Sequence, residues 1–141
     1  MFISRGVLPG LLIAPVAFSS CCGFGYPPGR VEVKKVRGAY DVIFSADCSS
    51  RGSLGSVSIH EVLVTELPTE RVVCWLKGGP IRDWWRYGED ASGMSFVTKS
   101  CAPLKVGGKY QIHARGWVVV VIEPSGEPRV VDASCEELIG S

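Results

Sequence analysis

Two histidines are all this 141-residue chain has, and none of its six cysteines forms a C-x-x-C pair. Finger-type zinc sites need such closely spaced pairs, so that class is excluded. There is no G-x-S-x-G elbow, and no Gly-rich loop with a lysine placed to hold phosphate. The Ser/Gly stretch Ser49-Ser50-Arg51-Gly52-Ser53-Leu54-Gly55-Ser56 therefore reads as a connection between two strands. Asp47, Glu89 and Asp90 are isolated acids, so no glycosidase-type carboxylate pair can be named. An excess of one charge is missing too, with 15 Lys+Arg against 14 Asp+Glu. Interspersed signs at that balance argue against nucleic acid as a partner. Helical periodicity is absent over any long window, apart from one possible turn at Ala133 to Ile139. No internal repeat or low-complexity tract occurs, and the residues call for no cofactor or metal.

What is present begins with MFISRGVLPGLLIAPVAFSSCC. Arg5 precedes an uncharged apolar run from Gly6 to Phe18, and small Ser19 and Ser20 lead to Cys21 and Cys22. A basic start, a greasy centre and a small-residue site form the pattern of an export signal. The run is shorter than the ~20 residues that cross a bilayer as a helix. Pro9, Gly10 and Pro15 further disfavour a lasting anchor. Residues 1–20 are thus expected to be a signal peptide and 21–30, with Gly23 to Arg30 reading GFGYPPGR, a tether. The remainder, 31–141, is one domain, because a chain of this size has room for a single core. Removal of Arg5 leaves 14 Lys+Arg against 14 Asp+Glu in the mature chain.

Phe18-Ser19-Ser20-Cys21 resembles a bacterial lipobox, as found in small bacterial lipoproteins. The resemblance implies that Cys21 receives a thioether-linked diacylglycerol and becomes the new N-terminus. The protein would then be held on the membrane of the cell envelope through that lipid, facing the periplasm. Ala17-Phe18-Ser19 also supplies small residues where a type I signal peptidase reads, which would release a soluble periplasmic or secreted product.

Cys48, Cys74, Cys101 and Cys135 are spaced by 26, 27 and 34 residues. In an exported protein such dispersed cysteines form disulfides that brace a small fold. Four cysteines permit three connectivities, between which sequence does not decide. We take Cys74–Cys101 with Cys48–Cys135 as the working pairing. With Cys21 lipidated, Cys22 is left as a fifth thiol.

Beyond residue 30 the chain alternates with a period of two. Tyr40, Val42, Phe44 and Ala46 face one way, and Asp41, Ile43 and Ser45 the other. Val57 and Ile59 share one phase and Val62 and Val64 the opposite one, which a bulge near His60-Glu61 reconciles. From Arg71 to Lys77, Val72, Cys74 and Leu76 alternate with Val73 and Trp75. In Lys109 to Arg115, Tyr110, Ile112 and Ala114 point inward while Gln111, His113 and Arg115 point outward. Trp117 to Ile122 is apolar on both faces and reads as an interior strand. Glu123 to Pro128 then turns the chain into Arg129–Val131. Lys34, Lys35 and Arg37 read as the solvated end of a further strand.

About seven such strands predict an all-β, antiparallel immunoglobulin-like sandwich. Leu104-Lys-Val-Gly-Gly-Lys-Tyr110-Gln-Ile-His-Ala-Arg-Gly116 resembles the E–F corner and F strand of fibronectin type III and immunoglobulin-like domains. That likeness implies that the Tyr110 hydroxyl ties back to the preceding loop.

Gly78 to Gly88, GGPIRDWWRYG, stands outside the strand alternation. Trp84, Trp85, Arg86 and Tyr87 there suit an exposed contact surface for an envelope protein or a glycan, because Trp, Tyr and Arg dominate contact hot spots. Alternatively, Trp84 or Trp85 caps one end of the sandwich with Arg86 over it. On a strand the two cannot both be buried, since neighbours point to opposite faces. His60 and His113 fall on predicted strands without an evident orienting acid. They are the only footing for a different reading, a secreted enzyme or inhibitor with a loop-assembled site. The sequence thus favours a non-catalytic binding or structural module of the envelope.

Overall fold

The computed structural model describes residues 28–48 and 57–139. The signal segment, Cys21, Cys22 and the Ser/Gly stretch lie outside these residues.

Nine strands occur among the described residues: β1 (Arg30–Val36), β2 (Ala39–Ser45), β3 (Ser58–Leu67), β4 (Arg71–Arg82), β5 (Trp84–Arg86), β6 (Met94–Phe96), β7 (Lys109–His113), β8 (Trp117–Ile122) and β9 (Pro128–Ala133). They form two antiparallel sheets, a smaller one ordered β1-β2-β5 and a larger one ordered β6-β4-β3-β7-β8-β9. Together these make the expected β-sandwich. The excess over seven strands comes from β5 and β6, each three residues long. A single turn of 3-10 helix at Glu136–Leu138 follows β9, where the sequence allowed one.

Local chemistry explains most of the hairpins. β1 and β2 are joined through Arg37 and Gly38, both at positive φ (51° and 83°), as a two-residue turn between right-twisted strands requires. Gly126, at φ 90°, closes the turn from β8 into β9. β3 carries a register shift between Ile59 and Glu61, which is the expected bulge at His60. Both valine phases therefore reach the core: Val57, Ile59, Val62 and Val64 are all buried.

One side-chain assignment is reversed. Val73 is 4% exposed and Val72 39%, although alternation from Cys74 and Leu76 puts Val72 inside. A second register shift, between Val64 and Thr65, rotates β4 at that point. A bulge in the pairing strands changes the phase without any mark in the sequence of β4 itself.

The core fills the space between the sheets with Val31, Val42 and Phe44 from the smaller sheet and Val62, Val64, Cys74, Leu76, Tyr110, Ile112, Val118, Val120 and Ile122 from the larger. The Tyr110 hydroxyl accepts a hydrogen bond from the Lys105 N–H at 2.9 Å, the tie-back anticipated for it. Gly108 makes room for that ring, since a Cβ at Gly108 would stand 2.5 Å from the Tyr110 hydroxyl oxygen. Both disulfides pair as expected. Cys48–Cys135 spans 87 residues and joins the end of β2 to the exit of β9. Cys74–Cys101 spans 27 and pins the connection between β6 and β7 onto β4.

Gly29 and Arg30, which the sequence assigns to the tether, are buried instead. Arg30 opens β1, bonds the Cys48 carbonyl at 2.9 Å and forms an ion pair with Glu137. The packed domain therefore includes residues just before position 31, locked beside the Cys48–Cys135 bridge.

Candidate contact surface on the smaller sheet

The aromatic segment is not an exposed loop outside the strands. Its first part completes β4, its second part is β5, and Asp83 is the corner where the chain leaves one sheet for the other. Asp83 adopts a left-handed backbone at φ 66°, a conformation that Asp tolerates better than most residues. It is pinned from both sides. Its Oδ1 accepts from the Val57 N–H at 2.9 Å, its N–H donates to the Val57 carbonyl at 3.1 Å, and its carbonyl accepts from the Phe44 N–H at 2.8 Å.

That corner sets the two tryptophans apart, as neighbours on a strand must be. Trp85 is 3% exposed and belongs to the core, with its Nε1–H donating to the Glu89 carbonyl at 2.8 Å. Trp84 is 52% exposed. Tyr87 is half-buried, its ring 5.6 Å from that of Trp85, and its hydroxyl donates to the Ala102 carbonyl at 2.6 Å. Burial pushes the Tyr87 hydroxyl pKa well above its ordinary value. Of the four residues expected at a contact surface, only Trp84 and Arg86 face outward. Trp85 and Tyr87 support them from within.

Cross-strand register defines the surface around Trp84. Glu32, Ile43 and Trp84 form one row on the outer face of the smaller sheet, and Lys34, Asp41 and Arg86 form the next. Arg86 grips Asp41 with two hydrogen bonds, Nε to Oδ1 at 2.8 Å and a terminal nitrogen to Oδ2 at 3.2 Å. The same guanidinium lies 5.7 Å from the centre of the Trp84 ring, within cation–π range. The hydrogen bond from Arg86 holds the Asp41 carboxyl below the usual carboxylate range, and Asp41 in turn raises the Arg86 pKa. A cavity of about 200 Å³ adjoins Trp84 and Arg86, lined also by Ile81, Trp85, Ala91, Glu89 and Asp90. Sequence inspection missed Asp41 and Ile43 as members of this surface. Their outward phase in β2 was visible, but their pairing with β5 was not.

The histidines do not come together. His60 sits at the bulge of β3, where its Nδ1–H donates to the Gly78 carbonyl at 3.0 Å. A carbonyl only accepts, so this bond places the proton on Nδ1. The adjacent Glu61 is turned away and accepts from Trp75 Nε1 at 2.6 Å. His113 lies opposite Leu63 on the outer face of the larger sheet, in a row that runs Trp75, Leu63, His113, Trp117. Leu63 is three positions from His60, roughly 10 Å along a strand. Among the described residues neither imidazole bonds a carboxylate or thiol, and no group of three His, Cys, Asp or Glu could hold a metal ion.

Compared with known proteins, the chain matches no family model, no curated protein and no solved structure.

Proposed function

We propose that this protein is an exported, lipid-anchored module of the bacterial cell envelope that binds a partner without catalysis, through the outer face of its smaller sheet. One observation carries the binding site: a half-exposed Trp84 stands on a fixed edge strand, braced by an Arg86 that Asp41 holds in place. A large aromatic kept in the solvent and pre-ordered by its neighbours suits a contact hot spot, because little freedom remains to be lost on binding. The two disulfides support an oxidising, extracytoplasmic address. The lipobox-like Phe18-Ser19-Ser20-Cys21 supports attachment through Cys21.

Two measurements test the proposal. Mass spectrometry of the mature N-terminus from native membranes should find a diacylglyceryl-cysteine at position 21, absent from a Cys21→Ala variant. An intact Met1 on a soluble cytosolic chain would overturn the address. In cells, a photo-crosslinker placed at Ile43 should join the protein to a defined envelope component. Trp84→Ala should abolish that adduct while the variant unfolds at the wild-type temperature. An unchanged adduct would remove Trp84 from the site.

A further inference from the structure

We infer that the partner is an extended polypeptide segment that adds to the open edge of β5 and places a lysine or arginine side chain in the cavity beside Trp84. The inference rests on the contact surface proposed above and names its ligand class.

The first support is main-chain chemistry. β5 ends the smaller sheet, with β2 on one side and, among the described residues, no strand on the other. The bond from Phe44 N–H to the Asp83 carbonyl and that from Tyr87 N–H to the Tyr40 carbonyl, 2.8 Å each, bracket β5 and fix its alternation. In an antiparallel pair the peptide groups of successive residues turn to opposite sides. Trp85 therefore bonds toward β2, and Trp84 and Arg86 turn their peptide groups to the open side. The Arg86 carbonyl is taken by the Glu89 N–H at 3.0 Å. Among the described residues, what remains on that edge is the Trp84 N–H, the Trp84 carbonyl and the Arg86 N–H. That is the donor and acceptor pattern which an added strand completes.

The second support is the cavity along the same edge. Ile81, Trp85 and Ala91 give it an apolar lining, and Glu89 and Asp90, both exposed, line it as well. Ile81 and Trp85 are buried. Arg86, the one cation lining the cavity, is already held by Asp41. Glu89 and Asp90 are exposed, and neither carboxylate has a hydrogen bond or ion pair among the described residues. The four charges of Asp41, Arg86, Glu89 and Asp90 sum to a net negative site. Lysine and arginine fit such a place, because they lay an apolar stem against an apolar lining and carry the charge at its end. Main-chain pairing gives affinity and the side-chain cavity gives preference, as in other cases of strand addition.

The test uses the full-length, disulfide-bonded protein as bait for a displayed library of short random peptides, with Trp84→Ala and Glu89→Gln/Asp90→Asn as parallel baits. Wild type should recover peptides sharing one basic position, and Trp84→Ala should recover none of them. Glu89→Gln/Asp90→Asn should weaken the recovered peptides about tenfold, the loss of one charge-assisted contact. Both variants alter exposed side chains, so each should keep the wild-type unfolding temperature. N-methylation of the peptide nitrogens on one alternating phase should abolish binding, and methylation on the other phase should not. Trp84-dependent peptides without a basic preference, or indifferent to methylation on either phase, would overturn this inference and leave the broader contact surface standing. No recovery, or recovery unchanged by Trp84→Ala, would also overturn it. The contact surface itself is judged separately, by the Ile43 cross-link.

Discussion

Asp41 and Arg86 stand directly opposite each other on β2 and β5, although 45 residues separate them in sequence, and their two hydrogen bonds fix the guanidinium beside the Trp84 ring. Arg86 holds the folded pKa of Asp41 below its ordinary value. A carboxylate depressed in this way contributes stability that is complete above its unfolded value, about 3.9, and is lost as the pH falls through the lower folded one. We therefore expect Arg86 to release Trp84 in acid, below about pH 4. A tryptophan-emission titration should show a step there in the wild type that is missing from Asp41→Asn. The pair is solvent-accessible, so its contribution to global stability should be slight. A step of equal size in both proteins would place its origin elsewhere.

The two adjacent tryptophans should respond oppositely to truncation. Trp85 is buried in the core and Trp84 is 52% exposed. Removing a large buried aromatic costs about 3–5 kcal/mol through lost burial and the cavity left behind. Truncation of an exposed residue stays within about 0.5 kcal/mol. Urea denaturation of Trp85→Ala and Trp84→Ala should therefore differ by about 2.5 kcal/mol or more. Equal costs would mean that Trp84 also holds the fold together.

Tyr110 offers a finer test. Its hydroxyl is the acceptor for the Lys105 N–H, and the rest of its ring fills the core. Tyr110→Phe keeps the ring and deletes that bond, at a cost of about 1 kcal/mol. Gly108→Ala should cost more, because its new Cβ would overlap atoms of the Tyr110 ring at 2.7 and 2.8 Å as well as the hydroxyl. In Tyr110→Phe/Gly108→Ala the two effects should not add, since they meet at one ring.

The sequence exposes what local alternation and local turns decide. Tyr110 and Ile112 inward with His113 outward, the bulge at His60, and the turn into β9 all follow from residues within a few positions of one another. Trp84 and Trp85 were separable in principle for the same reason, because strand neighbours face opposite ways. Which of them faces the core was not legible. That depends on the corner at Asp83 and on pairing with β2, both set by contacts from distant parts of the chain. Val72 and Val73 fail in the same way, through a register shift between β3 and β4. The contact surface lies in this second class, since Ile43 and Asp41 reach Trp84 and Arg86 only through the order of strands.

The disulfides give the last expectation, and here sequence separation sets the ranking. Cross-linking removes loop-closure entropy from the unfolded chain, and more of it for longer loops. By that argument the 87-residue loop of Cys48–Cys135 is worth about 4.6 kcal/mol and the 27-residue loop of Cys74–Cys101 about 3.6. Cys48→Ala/Cys135→Ala should therefore lower the Tm by roughly 15 °C or more. It also frees the segment that presents the Cys48 carbonyl to Arg30, leaving a buried guanidinium with one fewer acceptor. Each pair includes a fully buried cysteine, Cys74 and Cys135, so the space opened is similar in both and the loop lengths keep their order. Cys74→Ala/Cys101→Ala should therefore cost less than Cys48→Ala/Cys135→Ala. Arg30→Met separates the two contributions. If Arg30 accounts for part of the Cys48–Cys135 effect, removing that bridge should cost less in the Arg30→Met background. An undiminished cost would assign the whole effect to the unfolded chain.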